Sequence, residues 1–157
     1  MFIDFADLPD DSRLWLYGSS EIISNDNQEK INKKIKDFLQ VWTHHEKPLM
    51  CSSKFLYNRF IIVGLDENLN QTGGCSMDGL ERLMLSINQE FRLDLYKRLN
   101  VFVLINDKIK CIDVMSLKEN DLISYDTMFY NLNIKVKKEL KDWLIPIKNG
   151  WCKRFLD

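Results

Sequence analysis

Apolar positions repeat along this chain with two different periods, and the periods predict its elements. From Arg13 to Tyr17 they alternate, with Leu14 and Leu16 on one face and Trp15 and Tyr17 on the other, as in a strand. From Asp26 to His44 the spacing is helical: Ile31, Ile35, Phe38, Leu39 and Trp42 make one face. Asp26 with Glu29 has the spacing of a capping box. Leu49 to Ser53 and Phe55 to Leu65 read as two strands, with either Tyr57-Asn58 or Ser52-Ser53 as the turn between them. Within the second, Phe60-Ile61-Ile62-Val63 is short, apolar and β-branched, which suits a central strand covered on both faces. Ser76 to Arg92 predicts a second helix on the stripe Met77, Leu80, Met84, Ile87 and Phe91.

Beyond that helix, Asn100 to Asn106 and Lys108 to Val114 read as a hairpin turning at Asn106-Asp107-Lys108. Ser116 to Asp121 reads as a short helix and Leu122 to Asn131 as extended. Ile134 to Ile145 predicts a third helix with Val136, Leu140, Trp143 and Leu144 on its apolar face, stopped by Pro146. The tail from Trp151 to Leu156 is too apolar to hang free and is expected to dock. The first six elements run strand-helix-strand-strand-helix-strand. That order gives an α+β expectation: a ferredoxin-like βαββαβ core with a C-terminal strand and helix extension. The fold hosts many functions and selects none.

The 157 residues are enough for one domain with its own core, and no linker or repeat divides residues 1 to 157. A net charge of −1 disfavours a general nucleic-acid or anionic-membrane binder, which usually carries a basic excess. The longest apolar runs, 60–63 and 101–105, are too short to cross a bilayer. The acidic opening Met1 to Asp7 has no basic n-region or apolar h-region, so a cytoplasmic protein is expected. Its four cysteines, 51, 75, 111 and 152, form no C-x-x-C pair and are expected as free thiols.

Candidate chemistry gathers at residues 66 to 80, where three of the six glycines lie. Gly73-Gly74 leads into Cys75, Ser76 and Asp78 at a helix start. A glycine-rich turn at a helix N-terminus is a ready anion site, and the same dipole favours a cysteine thiolate. The plainer account makes Gly-Gly a tight turn, Ser76 the helix cap, Asp78 a complement to the dipole and Cys75 a small filler. His44 and His45 end the first predicted helix. Either is a base for Cys75 if the fold joins them, or simply a cationic helix terminus. Asp66 and Glu67 are paired carboxylates after a strand end, suited to acid–base work or to loop solvation. Arg59 offers an anion contact or a structural ion pair. The cysteines and histidines lack finger-like spacing, so no metal or cofactor is implied.

These residues also carry a resemblance. Trp15 and Tyr17, Trp42-Thr43-His44-His45, Leu56-Tyr57-Asn58-Arg59-Phe60, Gly74-Cys75-Ser76-Met77-Asp78 and the ending Trp151-Cys152-Lys153-Arg154-Phe155-Leu156 resemble a family of short uncharacterised bacterial proteins commonly labelled "ABC transporter ATPase". The resemblance runs over nearly the whole chain. Where the family has a histidine this chain has Cys152, and where it has a glycine after the helix-end histidine this chain has Glu46. The family supplies no catalytic residues to carry over. Its label implies ATP hydrolysis, but a P-loop needs G-x-x-x-x-G-K-[ST] and this sequence has none.

Two functions therefore stand as expectations. The preferred one is a non-enzymatic module binding a protein or a small anionic ligand, with Gly73, Gly74, Ser76, Asp78 and Arg59 as ligand-binding residues. The alternative is a small thiol-dependent enzyme with Cys75 as nucleophile and His45 as base.

Overall fold

A computed structural model describes residues 1–68 and 73–157 of the chain. Part of the polar loop before the glycine pair, 69–72, lies outside the described residues. The fold is mixed α and β. Strand β1 (Arg13–Gly18) precedes helix α1 (Asn25–Gln40), followed by the two-residue strands β2 (Thr43–His44) and β3 (Lys47–Pro48). Then come β4 (Met50–Leu56), β5 (Phe60–Asp66) and helix α2 (Gly74–Glu90). The remainder contributes β6 (Asn100–Ile105), β7 (Lys108–Asp113), β8 (Met128–Tyr130) and β9 (Leu144–Pro146).

The first sheet has the order β1-β5-β4, all antiparallel, with β5 buried along its whole length between its neighbours. This central place answers to the unbroken apolar run 60–63, which leaves no polar side for water. Tyr57-Asn58 makes the turn between β4 and β5, with φ of 54° and 60°. Two consecutive positive φ values match the twist of a hairpin, and Asn tolerates them at low cost. The second predicted hairpin turns at Asn106 and Asp107 for the same reason, with φ of 51° and 63°.

The two helices cover one face of this sheet. Ile31, Ile35 and Leu39 of α1 and Leu80, Met84 and Ile87 of α2 are buried against Tyr17, Ile61, Val63 and Leu65. Full burial of each such side chain contributes roughly 1.5–3 kcal/mol. The opposite face packs on Phe5, Leu8, Phe102, Tyr130, Ile134 and Trp143. Phe60 lies at the centre of that contact, 5.0 Å from the Phe102 ring, 5.3 Å from Tyr130 and 5.1 Å from Trp143.

The second sheet has the order β7-β6-β8-β9. In a ferredoxin-like arrangement β6 would lie beside β1. Here β6 pairs with β7 and β8, and the residues after Ile134 occupy part of the β1 edge: Leu14 N donates to Lys135 O at 2.8 Å and Lys137 N to Ser12 O at 2.9 Å.

Several expected boundaries give way for physical reasons. Helix α1 is capped by Ser24, whose hydroxyl accepts from Asn27 N, so the Asp26–Glu29 box is not its cap. It ends at Gln40, because Thr43 and His44 pair with Pro48 and Lys47 across a tight turn at His45 and Glu46. The expected third helix, Ile134 to Ile145, is a 3-10 turn at Lys137–Asp142 followed by β9. Val136 is extended on the β1 edge and Ile145 pairs with Phe129, so its two ends are claimed by different sheets. Pro146 is the last residue of edge strand β9 and stops no helix. In place of a helix at Ser116 to Asp121 there is a 3-10 turn at Val114–Ser116, and the extended part of Leu122 to Asn131 shrinks to β8. The tail docks: Cys152 is fully buried, with Trp151 and Phe155 packed around its cluster.

Candidate functional site

The tight turn after α1 is the element that builds the site. It brings His44 and His45 over the start of α2, so that Phe38, Trp42, both histidines, Gly73, Gly74, Cys75, Ser76 and Gly79 line one cleft of about 630 Å³. Residues some thirty positions apart in sequence thus share a wall.

Most of the polar groups here are spent on the scaffold. Trp42 Nε1 donates to Ser76 O at 3.0 Å, and Ser76 Oγ donates to Thr43 O at 2.9 Å. Ser76 is therefore a strut inside the first turn of α2. The residue that caps α2 is Gly73, which has no side chain to offer, so Ser76 is not the cap. The helix starts two residues earlier than its apolar stripe predicts.

His44 is held by the same contacts. Gly73 N donates to its Nδ1 at 3.3 Å, which requires a lone pair there and puts the neutral ring's proton on Nε2. Ser76 Oγ lies 3.2 Å from the same nitrogen, but its proton is directed to Thr43 O. The Nδ1 of His44 is thus a backbone acceptor, and Nε2 carries the ring proton in that tautomer. In that tautomer neither nitrogen offers a lone pair to a thiol proton.

The glycine pair divides into two roles. A Cβ on Gly73 would run into His44 Cε1, with Nε2 at 3.2 Å and Nδ1 at 3.3 Å. A Cβ on Gly74 would meet nothing within 4 Å among the described residues. The close approach that Gly73 permits is therefore taken by an imidazole of the chain itself.

Cys75 is exposed, on the first turn of α2, while Cys51 and Cys152 are buried and Cys111 is half-buried. Burial pushes the thiols of Cys51, Cys111 and Cys152 up to about 11. His45 is exposed on the turn, its ring centroid 4.0 Å from that of His44. Cys75 and His45 line the same cleft, yet no hydrogen bond joins the Cys75 sulfur to either histidine among the described residues. Asp78 is exposed and does not line the cleft.

Arg59 is elsewhere. Its guanidinium is buried and donates to the carbonyls of Ser19 at 3.3 Å, Ser20 at 2.6 Å and Ile109 at 3.4 Å. It tethers the end of β1 to β7 and is not available to an anion at α2. Asp66 accepts from Asn68 N at 2.9 Å, and Glu67 faces Arg13 at 3.6 Å, so both carboxylates serve the loop. Among the described residues, no three His, Cys, Asp or Glu side chains are grouped to hold a metal ion. Nor is any described helix long and apolar enough to cross a membrane.

The strut formed by Trp42, Ser76 and Thr43 was not visible in the sequence. Its only signal was a polar residue, Ser76, in an apolar helical stripe. Comparison with family models, with curated proteins and with solved structures gives no match for this chain.

Proposed function

We propose that the protein is a non-enzymatic binding module whose ligand presents a small anionic group, phosphate or carboxylate, to the start of α2. The observation that carries this reading is the commitment of His44 Nδ1 to the Gly73 amide inside an open cleft at a helix N-terminus. The cleft has room and a favourable dipole but no assembled proton relay. The anionic group belongs to a small molecule or to a protein that displays it. ATP hydrolysis is not part of this reading, since the sequence lacks a P-loop.

Cys75 is the reporter for a test. Its alkylation by iodoacetamide is followed by mass spectrometry in folded protein, with inorganic phosphate or with chloride at matched ionic strength. Phosphate is expected to slow modification at Cys75 severalfold in folded protein and not in urea. Equal rates in both salts would sink the proposal.

A second reading, a thiol-dependent enzyme with Cys75 as nucleophile and His45 as base, is favoured by one observation: the single exposed cysteine lines the same cleft as His45. It requires that His45→Gln slow Cys75 alkylation at neutral pH; an unchanged rate removes it. We take the protein to be cytoplasmic, supported by four free cysteines. We further read β1, α1, β4 and β5 as half of a ferredoxin-like arrangement, supported by the order β1-β5-β4. Kinship with the bacterial family resembled by its motifs is part of the same proposal.

A further inference from the structure

The face of the first sheet turned away from the helices carries a second groove, of about 890 Å³, between β4, residues 2–6 and the 137–143 segment. No described residue lines both this groove and the cleft at α2. Side chains alternate along β4, so Cys51 enters the helical layer while Ser52, Lys54 and Leu56 take the other face.

Three features of this groove serve nothing described so far. Lys54 Nζ lies 4.5 Å from the centroid of the Phe5 ring and makes no ion pair among the described residues. Burial, with the nearby Lys137 charge second, holds its ammonium below the ordinary lysine value. Lys137 Nζ lies 5.4 Å from the same ring, tied to the carbonyls of Phe5, Ala6 and Leu8 at 2.9, 3.2 and 2.6 Å. Two ammonium groups therefore approach one aromatic ring, and Lys141 also lines the groove. Finally, Ser52 Oγ is buried, its residue 1% exposed, with no hydrogen-bond partner among the described residues. A buried hydroxyl without a partner is costly and uncommon, and this one belongs to the groove lining. One carboxylate, Asp4, also lines the groove; its Oδ1 accepts from Ala6 N at 3.2 Å and is used locally. The remaining wall is largely apolar, with Phe5, Leu140 and Trp143.

We propose that this groove binds a small organic acid with an aromatic body, its carboxylate held by Lys54, Lys141 and the Ser52 hydroxyl and its ring against Phe5, Leu140 and Trp143. An anion there neutralises the like charges that crowd Lys54 and gives Ser52 Oγ an acceptor. A mostly apolar groove of this volume with a few convergent polar groups matches the usual anatomy of small-molecule sites. This proposal is independent of the ligand at α2.

Backbone amide shifts of residues 52–56 and 137–143, followed by NMR on the full chain, test it. The probes are phenylacetate, 2-phenylethanol, which lacks the charge, and acetate, which lacks the body. Phenylacetate is expected to give saturable shifts in these segments, read separately from any at residues 73–79 where a carboxylate meets the α2 cleft, and both other probes to shift residues 52–56 and 137–143 at least about ten-fold more weakly. Lys54→Met keeps the aliphatic stem and removes the charge; it is expected to weaken phenylacetate by about ten-fold or more. Ser52→Ala removes an unpartnered hydroxyl, so it is expected to fold normally and to bind more weakly. Cys75→Ser is expected to leave the affinity unchanged. The proposal is overturned if 2-phenylethanol or acetate binds as tightly as phenylacetate. Unchanged affinity in Lys54→Met, or an absence of saturable shifts, overturns it too.

Discussion

Gly73 and Gly74 look equivalent in the sequence and are not equivalent in the fold. Neither has a positive φ, so neither is needed for a left-handed turn. Gly73 is needed because the His44 ring occupies the space of a side chain, whereas a Cβ on Gly74 would meet no described atom within 4 Å. Gly73→Ala is expected to displace His44, break its bond to the Gly73 amide and destabilise by about 1–3 kcal/mol. Gly74→Ala is expected to be neutral or stabilising by up to about 1 kcal/mol, since alanine gives the unfolded chain less freedom to lose. Urea unfolding of both variants checks the contrast, and equal effects would contradict it. The residue types in this stretch announced a site, but the role of each depended on a histidine 29 positions earlier.

At the scale of elements, apolar periodicity located α1, α2 and the hairpins, while side-chain bonds set their ends. Asp26 with Glu29 reads as a cap by spacing. The chain uses Ser24, whose hydroxyl reaches Asn27 N at 3.2 Å. Ser24→Ala is therefore expected to cost about 1 kcal/mol and Asp26→Ala less, measured as shifts in the thermal midpoint. A larger loss for Asp26→Ala would restore the capping-box reading. The third expected helix illustrates the opposite limit. Val136, Leu140, Trp143 and Leu144 have helical spacing, and all four are at least half-buried. Burial is satisfied there without a helix, because Val136 bridges to β1 and Leu144 pairs with Tyr130. Periodicity reports which residues are buried, and a short segment can meet that demand in more than one backbone form.

At the scale of the whole molecule, the core sets the pH response through its thiols. The Cys51 sulfur lies within 3.3 Å of Leu39 O and 3.4 Å of Leu49 O, between α1 and β4. Its folded thiol ionises at about 11, raised chiefly by burial from an ordinary value of 9.0. Between those values the unfolded chain has released a proton that the folded chain retains. Stability from this group is therefore full below about pH 9 and is lost as pH rises through 11. At about 1.4 kcal/mol for each unit, the loss is on the order of 3 kcal/mol for Cys51. Cys111 and Cys152 act in the same direction. Urea midpoints at pH 8 and pH 10.5 should show the fall in the wild type and a shallower fall in Cys51→Ala. Equal slopes would remove Cys51 as a source.

Composition and pattern alone were enough for the mixed α and β character, the central place of β5, the hairpin at Asn106-Asp107, the faces of the two long helices and a docked tail, while the turn between β4 and β5 stayed open between Tyr57-Asn58 and Ser52-Ser53. These follow from local covalent periodicity, since a strand or helix must turn its apolar side inward whatever it meets. They were also enough to rule out a P-loop. The pairing of β6 with β7 and β8, the burial of Arg59 against carbonyls, the cleft joining His44 to Gly73 and the second groove around Lys54 were decided only in three dimensions. Each depends on contacts between residues far apart in the chain, and such contacts leave no period in the sequence. For Cys75 the fold supplied exposure and the company of His45 in one cleft. It also bound one imidazole, His44, to the backbone, because a donor at Gly73 found its acceptor there.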